Sequence, residues 1–115
     1  SSEFNDKRLK NSGFVGTAFK IIIYGPCINP AISINDHVYQ VNAELLDNEY
    51  LTIDSMTKTI VLTKYDGQKV NCFHLRNRES YIFEPVPPGE NIITWNGAFG
   101  FDVVLLDERS EPKWI

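Results

Sequence analysis

Two histidines, His37 and His74, fifteen carboxylates and two cysteines, Cys27 and Cys72, are the groups in this 115-residue chain whose chemistry could reach beyond packing. A hydrolytic triad needs a histidine beside both a nucleophile and a carboxylate. His37 stands next to a turn and His74 follows Phe73 in an expected strand, so both read as ordinary strand or turn residues. Glycosidase chemistry needs two carboxylates facing each other across a cleft, and the acidic residues are scattered through turns and polar faces. Asp36, Asp47, Asp54 and Asp66 do not have the spacing of a calcium loop. The cysteines are too few for a disulfide scaffold and lack metal-ligand spacing. They read as two free, mostly buried thiols, with a single bridge as the alternative that spacing does not decide. No catalytic group, metal or cofactor is therefore expected. The remaining candidates are aromatic. Trp95, Tyr39, Tyr50 and Tyr81 could stack on the faces of sugar rings, whereas the packing alternative places Trp95 in the core or over a sheet. Trp114, after Pro112, reads as an anchor for the end of the chain.

Composition narrows the partners. A formal charge of −4 disfavours nucleic acid, whose binders carry a basic face. The one basic cluster visible along the chain, Lys7, Arg8 and Lys10, lies in a polar run read as a solvated segment. The polar start does not read as a signal peptide. No apolar run approaches the roughly 20 residues of a membrane span. An apolar fraction of 43% is enough for one core, and the length suits one domain.

These side chains must be positioned by strands. Residues 1–12 lack periodicity and read as an N-terminal arm or linker; residues 13–115 read as one β-sandwich domain. Phe19–Tyr24 is a strand closed by Gly25-Pro26, and Asn29-Pro30 marks another turn. Residues 31–35 and 37–45 form a hairpin around Asn35-Asp36, since both residue types tolerate positive φ. Residues 50–54 and 59–65 alternate apolar and polar positions. Asp66-Gly67 predicts a two-residue type I′ turn that pairs Tyr65 with Gln68, Thr63 with Val70 and Val61 with Cys72. Residues 80–84 read as a further strand before Pro85, Pro87 and Pro88 prevent regular pairing. Residues 92–95 follow, then a turn at Asn96-Gly97. In residues 99–106, Phe99, Phe101, Val103 and Leu105 share a core face, with Val104 and Leu106 opposite, so both faces are expected to be covered. Residues 43–47 are the only helix-compatible patch, too short to stand alone. Eight or nine short strands with frequent turns make this an all-β, antiparallel β-sandwich or jelly roll.

Several of these features in order resemble a known family. They are Gly25 with Asn29-Pro30 and Ile32; Leu51–Asp54 with Lys58–Val61; Asp66-Gly67 with Asn71; Phe83 with Pro88-Gly89-Glu90-Asn91-Ile92; and Glu108-Arg109 with Trp114. Together they are similar to the C-terminal domain of siphophage distal tail proteins, which form the baseplate hub of the phage tail, and the resemblance covers nearly the whole chain after Gly13. It implies a galectin-like or carbohydrate-module-like sandwich attached to an N-terminal domain that builds a hexameric ring under the tail tube. The chain then reads as a C-terminal fragment, monomeric alone, whose full-length protein is a homo-hexamer in the virion, at the tail tip. Partners implied are the tail tube, the tail-associated lysin and the receptor-binding protein. The expected role is a structural module that projects from the ring and supports host attachment. The alternative is a carbohydrate-binding module that touches host cell-wall polysaccharide, and a bacterial adhesion domain of the same architecture is a third reading.

Overall fold

A computed structural model describes residues 5–12 and 16–106. Gly13, Glu108-Arg109 and Trp114 lie outside the described residues. The strands are β1 (Asn5–Asn11), β2 (Ala18–Tyr24), β3 (Cys27–Ile28), β4 (Ala31–Ile34), β5 (His37–Gln40), β6 (Glu44–Leu45), β7 (Tyr50–Asp54), β8 (Thr59–Thr63), β9 (Lys69–Asn71), β10 (Gly89–Trp95) and β11 (Gly100–Leu106). One sheet has the order β1-β10-β4-β5, a second β11-β2-β7-β8-β9, and β3 pairs with β6 in a small ribbon. Every pairing between named strands is antiparallel. The chain is an all-β antiparallel sandwich, as its alternation predicts.

The period of two decides what faces inward. In β2, Phe19, Ile21 and Ile23 are buried while Lys20, Ile22 and Tyr24 point away. Leu51, Ile53, Ile60 and Leu62 complete that inner face, and Ile32, Ile34, Tyr39 and Ile93 supply the opposing one. Burying one such aliphatic side chain stabilises by roughly 1.5–3 kcal/mol, more than an exposed contact offers, so the inner faces fix strand register. Phe19 and Tyr39 meet edge to face across the sandwich at 5.2 Å.

The turns follow local chemistry. Asn35 and Asp36 both have positive φ, 51° and 71°, in a two-residue turn that pairs Ile34 with His37. At Asp66-Gly67 the structure differs from expectation by one residue. Lys64 and Gln68 flank a three-residue loop, Gly67 sits at φ 93°, and Leu62 pairs with Val70. The reason is burial: a one-residue shift reverses which face each side chain occupies, and the observed register places Val70 beside Leu62, packed against the core.

Other expectations are corrected. Residues 80–84 are not a strand. Glu84 N–H donates to Tyr81 O at 3.3 Å and Tyr39 Oη donates to Glu84 O at 2.7 Å, so turn and side-chain bonds replace a ladder, and Ile82 and Phe83 plug the core. His74 lies in a 3₁₀ turn, Phe73–Leu75, and the helix-compatible patch contains β6. Phe101 in β11 is buried, whereas Phe99 just before the strand and Val103 and Leu105 within it are half-buried, because among the described residues the strand has only β2 as a sheet neighbour. Val104 is 47% exposed, so the outer face of β11 is not covered at that position. The polar run read as an arm contains β1, which pairs with β10 from Asn5 opposite Trp95 to Asn11 opposite Gly89. Arg8 and Lys10 point out while Leu9 and Asn11 point in; charges on an outer strand discourage pairing with another chain.

Buried Asn91 clamps this region. Its Nδ2 donates to Leu9 O, Pro87 O and Gly89 O at 3.0–3.2 Å, and its Oδ1 accepts from Asn35 Nδ2. Asn35 Oδ1 in turn accepts from Ile92 N–H at 2.9 Å. One side chain thus links the β4–β5 turn, the start of β10 and the edge strand.

Candidate functional site

An open groove of about 690 Å³ lies on the outer side of the first sheet. Its floor includes Ala31, Ser33, Val38 and Thr94, all on the outward face of the first sheet. One wall is the β3–β6 ribbon and the turn after it; the other is the end of β10 with Phe99. Backbone geometry holds the first wall in place. Gly25 N–H donates to Glu49 O at 2.8 Å, and a Cβ at Gly25 would lie 2.3 Å from Leu46 O, so only glycine fits without movement. Asn29 and Asn48 adopt φ of 50° and 66°, a conformation asparagine tolerates better than most residues. Glu49 is buried, and its Oε1 accepts from Leu46 N–H at 2.9 Å, closing the Leu46–Glu49 turn.

Trp95 forms the second wall. Its ring meets Phe101 edge to face at 4.7 Å, and its Nε1–H donates to Phe99 O at 3.0 Å. The ring therefore packs and lines the groove together. Ile28 and Leu46, on the opposite wall, are 70% and 52% exposed. Among the described residues, Glu44 and Asp47 are the groove's charged residues, and no lysine or arginine lines it. An apolar trough with a few polar groups suits binding of a ligand or a chain segment.

The four aromatic candidates do not form one platform. Trp95 lines the groove. Tyr39 is 1% exposed in the core, where desolvation and then the Glu84 carboxylate push its hydroxyl pKa well above the usual tyrosine value. Tyr50 lies on the outer face of the second sheet beside Tyr24, the rings 6.4 Å apart and tilted by 49°. Tyr24 Oη donates to Asp102 Oδ2 at 2.7 Å, a bond that raises the Tyr24 pKa. Tyr81 belongs to a second depression of about 450 Å³, formed by the 3₁₀ turn and the irregular run that follows it.

That second pocket holds a basic group the linear sequence conceals. Lys58, Arg76 and Arg78 line it with Phe73, Tyr81 and Phe83. The available signal was Arg76 and Arg78 two apart, close to three aromatics; Lys58 joins them only through folding. His37 Nε2 is 2.7 Å from Tyr81 O, and its ring packs on Tyr39 at 5.0 Å. His37 thus braces the pocket segment. Cys72 is buried and Cys27 half-buried; both are free, and desolvation raises both thiol pKa values. Among the described residues no group of three or more His, Cys, Asp or Glu side chains could hold a metal ion.

No protein-family model, curated protein or solved structure matches the chain.

Proposed function

We propose that the chain is a non-enzymatic, structural module of a phage tail tip, a sandwich carried on a hub ring that supports host attachment. The observation that carries this reading is where the described residues of the family resemblance fall. They hold turns and junctions. Gly25 and Asn29 shape the groove wall. Asp54 Oδ1 accepts from Met56 and Thr57 N–H at 3.0 and 3.2 Å, and Lys58 takes φ 60° in the turn that follows. Gly67 closes a hairpin, and Asn91 ties β1 and the start of β10 to the β4–β5 turn. A pattern made of such positions describes a shared architecture, and the galectin-like sandwich of distal tail proteins is the architecture it resembles. In that setting β1, paired along its length with β10, would make a stiff join to a preceding ring domain. The symmetric contacts of a hexamer would then belong to the ring.

Immunogold labelling of induced phage particles with an antibody to this chain tests the proposal. Label at the tail tip is expected; label elsewhere, or none on intact particles, rejects it. Light scattering should find the 115-residue chain monomeric, with hexamers only when the ring domain is joined to it.

The groove beside Trp95 favours a second reading, recognition of host cell-wall polysaccharide. Saturable retention on purified cell wall that disappears in Trp95→Ala, with the circular-dichroism spectrum unchanged, would establish it.

A further inference from the structure

The pocket around Lys58, Arg76, Arg78 and Tyr81 is separate from the Trp95 groove and shares no lining residue with it. Its charge runs against the rest of the molecule. The chain has fifteen acidic and eleven basic residues, yet among the described residues the pocket is lined by three cations and no carboxylate. Two of the cations are anchored. Arg76 lies over the Phe73 ring, 4.0 Å from its centroid, and its Nη1 donates to Phe73 O at 2.9 Å. Lys58 Nζ donates to Ser55 O at 2.8 Å and sits 5.7 Å from the Phe83 centroid. Each anchor uses one donor, which leaves N–H groups on both heads for an anion. Arg78 is exposed at the rim, and Ser80 adds a hydroxyl.

The aromatic wall is rigid and partly occupied. Phe73 stacks on Phe83 at 6.1 Å with 13° between planes, and Arg76 covers Phe73. Tyr81, held edge-on to Phe83 at 6.0 Å, is 53% exposed and offers more open ring than Phe73, which is 37% exposed with Arg76 over it. Three cations match a dianion better than a single carboxylate, and a phosphate ester carries close to two charges at neutral pH. The open tyrosine offers an apolar surface to whatever carries the phosphate. An exposed tyrosine ring suits the C–H face of a sugar. We propose that this pocket binds a phosphate group carried on a sugar ring. The inference does not rest on the tail-tip reading.

Titration of the ¹⁵N-labelled chain with glucose 1-phosphate at low salt tests it. Saturable shifts confined to Lys58 and residues 73–83 are expected, with none from glucose and about tenfold weaker binding of inorganic phosphate. Arg78→Gln, at an exposed position, should weaken binding about tenfold while leaving the melting temperature unchanged, and Lys58→Gln should weaken it similarly with a small fall in melting temperature from the lost bond to Ser55 O. Tyr81→Ala should erase the preference over inorganic phosphate, and added salt should weaken all binding. The proposal is overturned if glucose 1-phosphate does not saturate, if inorganic phosphate binds as tightly, or if Arg78→Gln binds as the unaltered chain does.

Discussion

In the groove beside Trp95 the walls are set by backbone: a glycine with no room for a Cβ, two asparagines at positive φ and a buried glutamate that closes a turn. In the pocket beside Tyr81 they are set by side chains: stacked rings, and cations resting on those rings. The charged lining of the groove is acidic and that of the pocket is basic. The contrast follows from the chain segments available. Short paired strands supply a shaped trough with few protruding groups. A 3₁₀ turn followed by an irregular run has no ladder to complete, so its side chains must satisfy the surface. Damage to the groove should therefore arise from small backbone changes, and damage to the pocket from loss of individual side chains.

Substitutions can break that contrast. The largest effect is expected from Phe101→Ala. It removes a buried ring and the surface on which Trp95 rests, and should destabilise by roughly 3–5 kcal/mol in a urea titration. Below its lowered melting temperature, the variant should show altered tryptophan fluorescence while the shifts of residues 73–83 stay in place. An unchanged unfolding midpoint would mean that the two sheets do not close on this residue.

Gly25→Ala comes next. A Cβ 2.3 Å from a backbone oxygen forces the wall to move, at a cost of about 1–3 kcal/mol. Amide shifts should concentrate in residues 25–29 and 43–49. Comparable shifts in the pocket would show that the two regions are coupled.

Tyr39→Phe removes the hydroxyl that donates to Glu84 O and should cost about 1–2 kcal/mol, with faster amide exchange around residues 81–84. The same hydroxyl gives a pH dependence. Its folded pKa is raised above its unfolded value, so its contribution is complete below about pH 10 and is lost as pH rises further, once the unfolded chain ionises first. Melting temperatures measured across alkaline pH should fall less steeply in Tyr39→Phe than in the unaltered chain.

Gly67→Ala should have the smallest effect, about 1 kcal/mol. Nothing lies within 4 Å of an added Cβ, so the cost is that of holding alanine at φ 93°. It should leave both depressions unchanged and serves as the control for a strained turn remote from either.

The sandwich was legible because its signals are local. Alternation in residues 19–24 and 50–54 needs only neighbouring positions, and Asn35-Asp36 forms its predicted turn because the two-residue loop uses positive φ at both. The Asp66-Gly67 register was missed by one residue because the turn residues permit either loop length. Burial of Val70 decided between them, and that depends on the opposite sheet. Residues 80–84 have strand-like composition, but their hydrogen-bond partners, Tyr39 and His37, come from some forty positions earlier.

The two depressions were hardly legible at all. Trp95 could be singled out by type, yet its neighbours Ser33, Val38 and Leu46 lie around fifty or sixty positions away. Lys58 meets Arg76 and Arg78 only because the β7–β8 turn lies beside the segment after β9. By itself the sequence determined the strand period, most turn positions and the sign of the net charge, all of which depend on residue type at short range. The tertiary structure decided which aromatics are buried, which cations converge and where a ligand could sit, because those properties belong to distances between segments that the chain brings together only on folding.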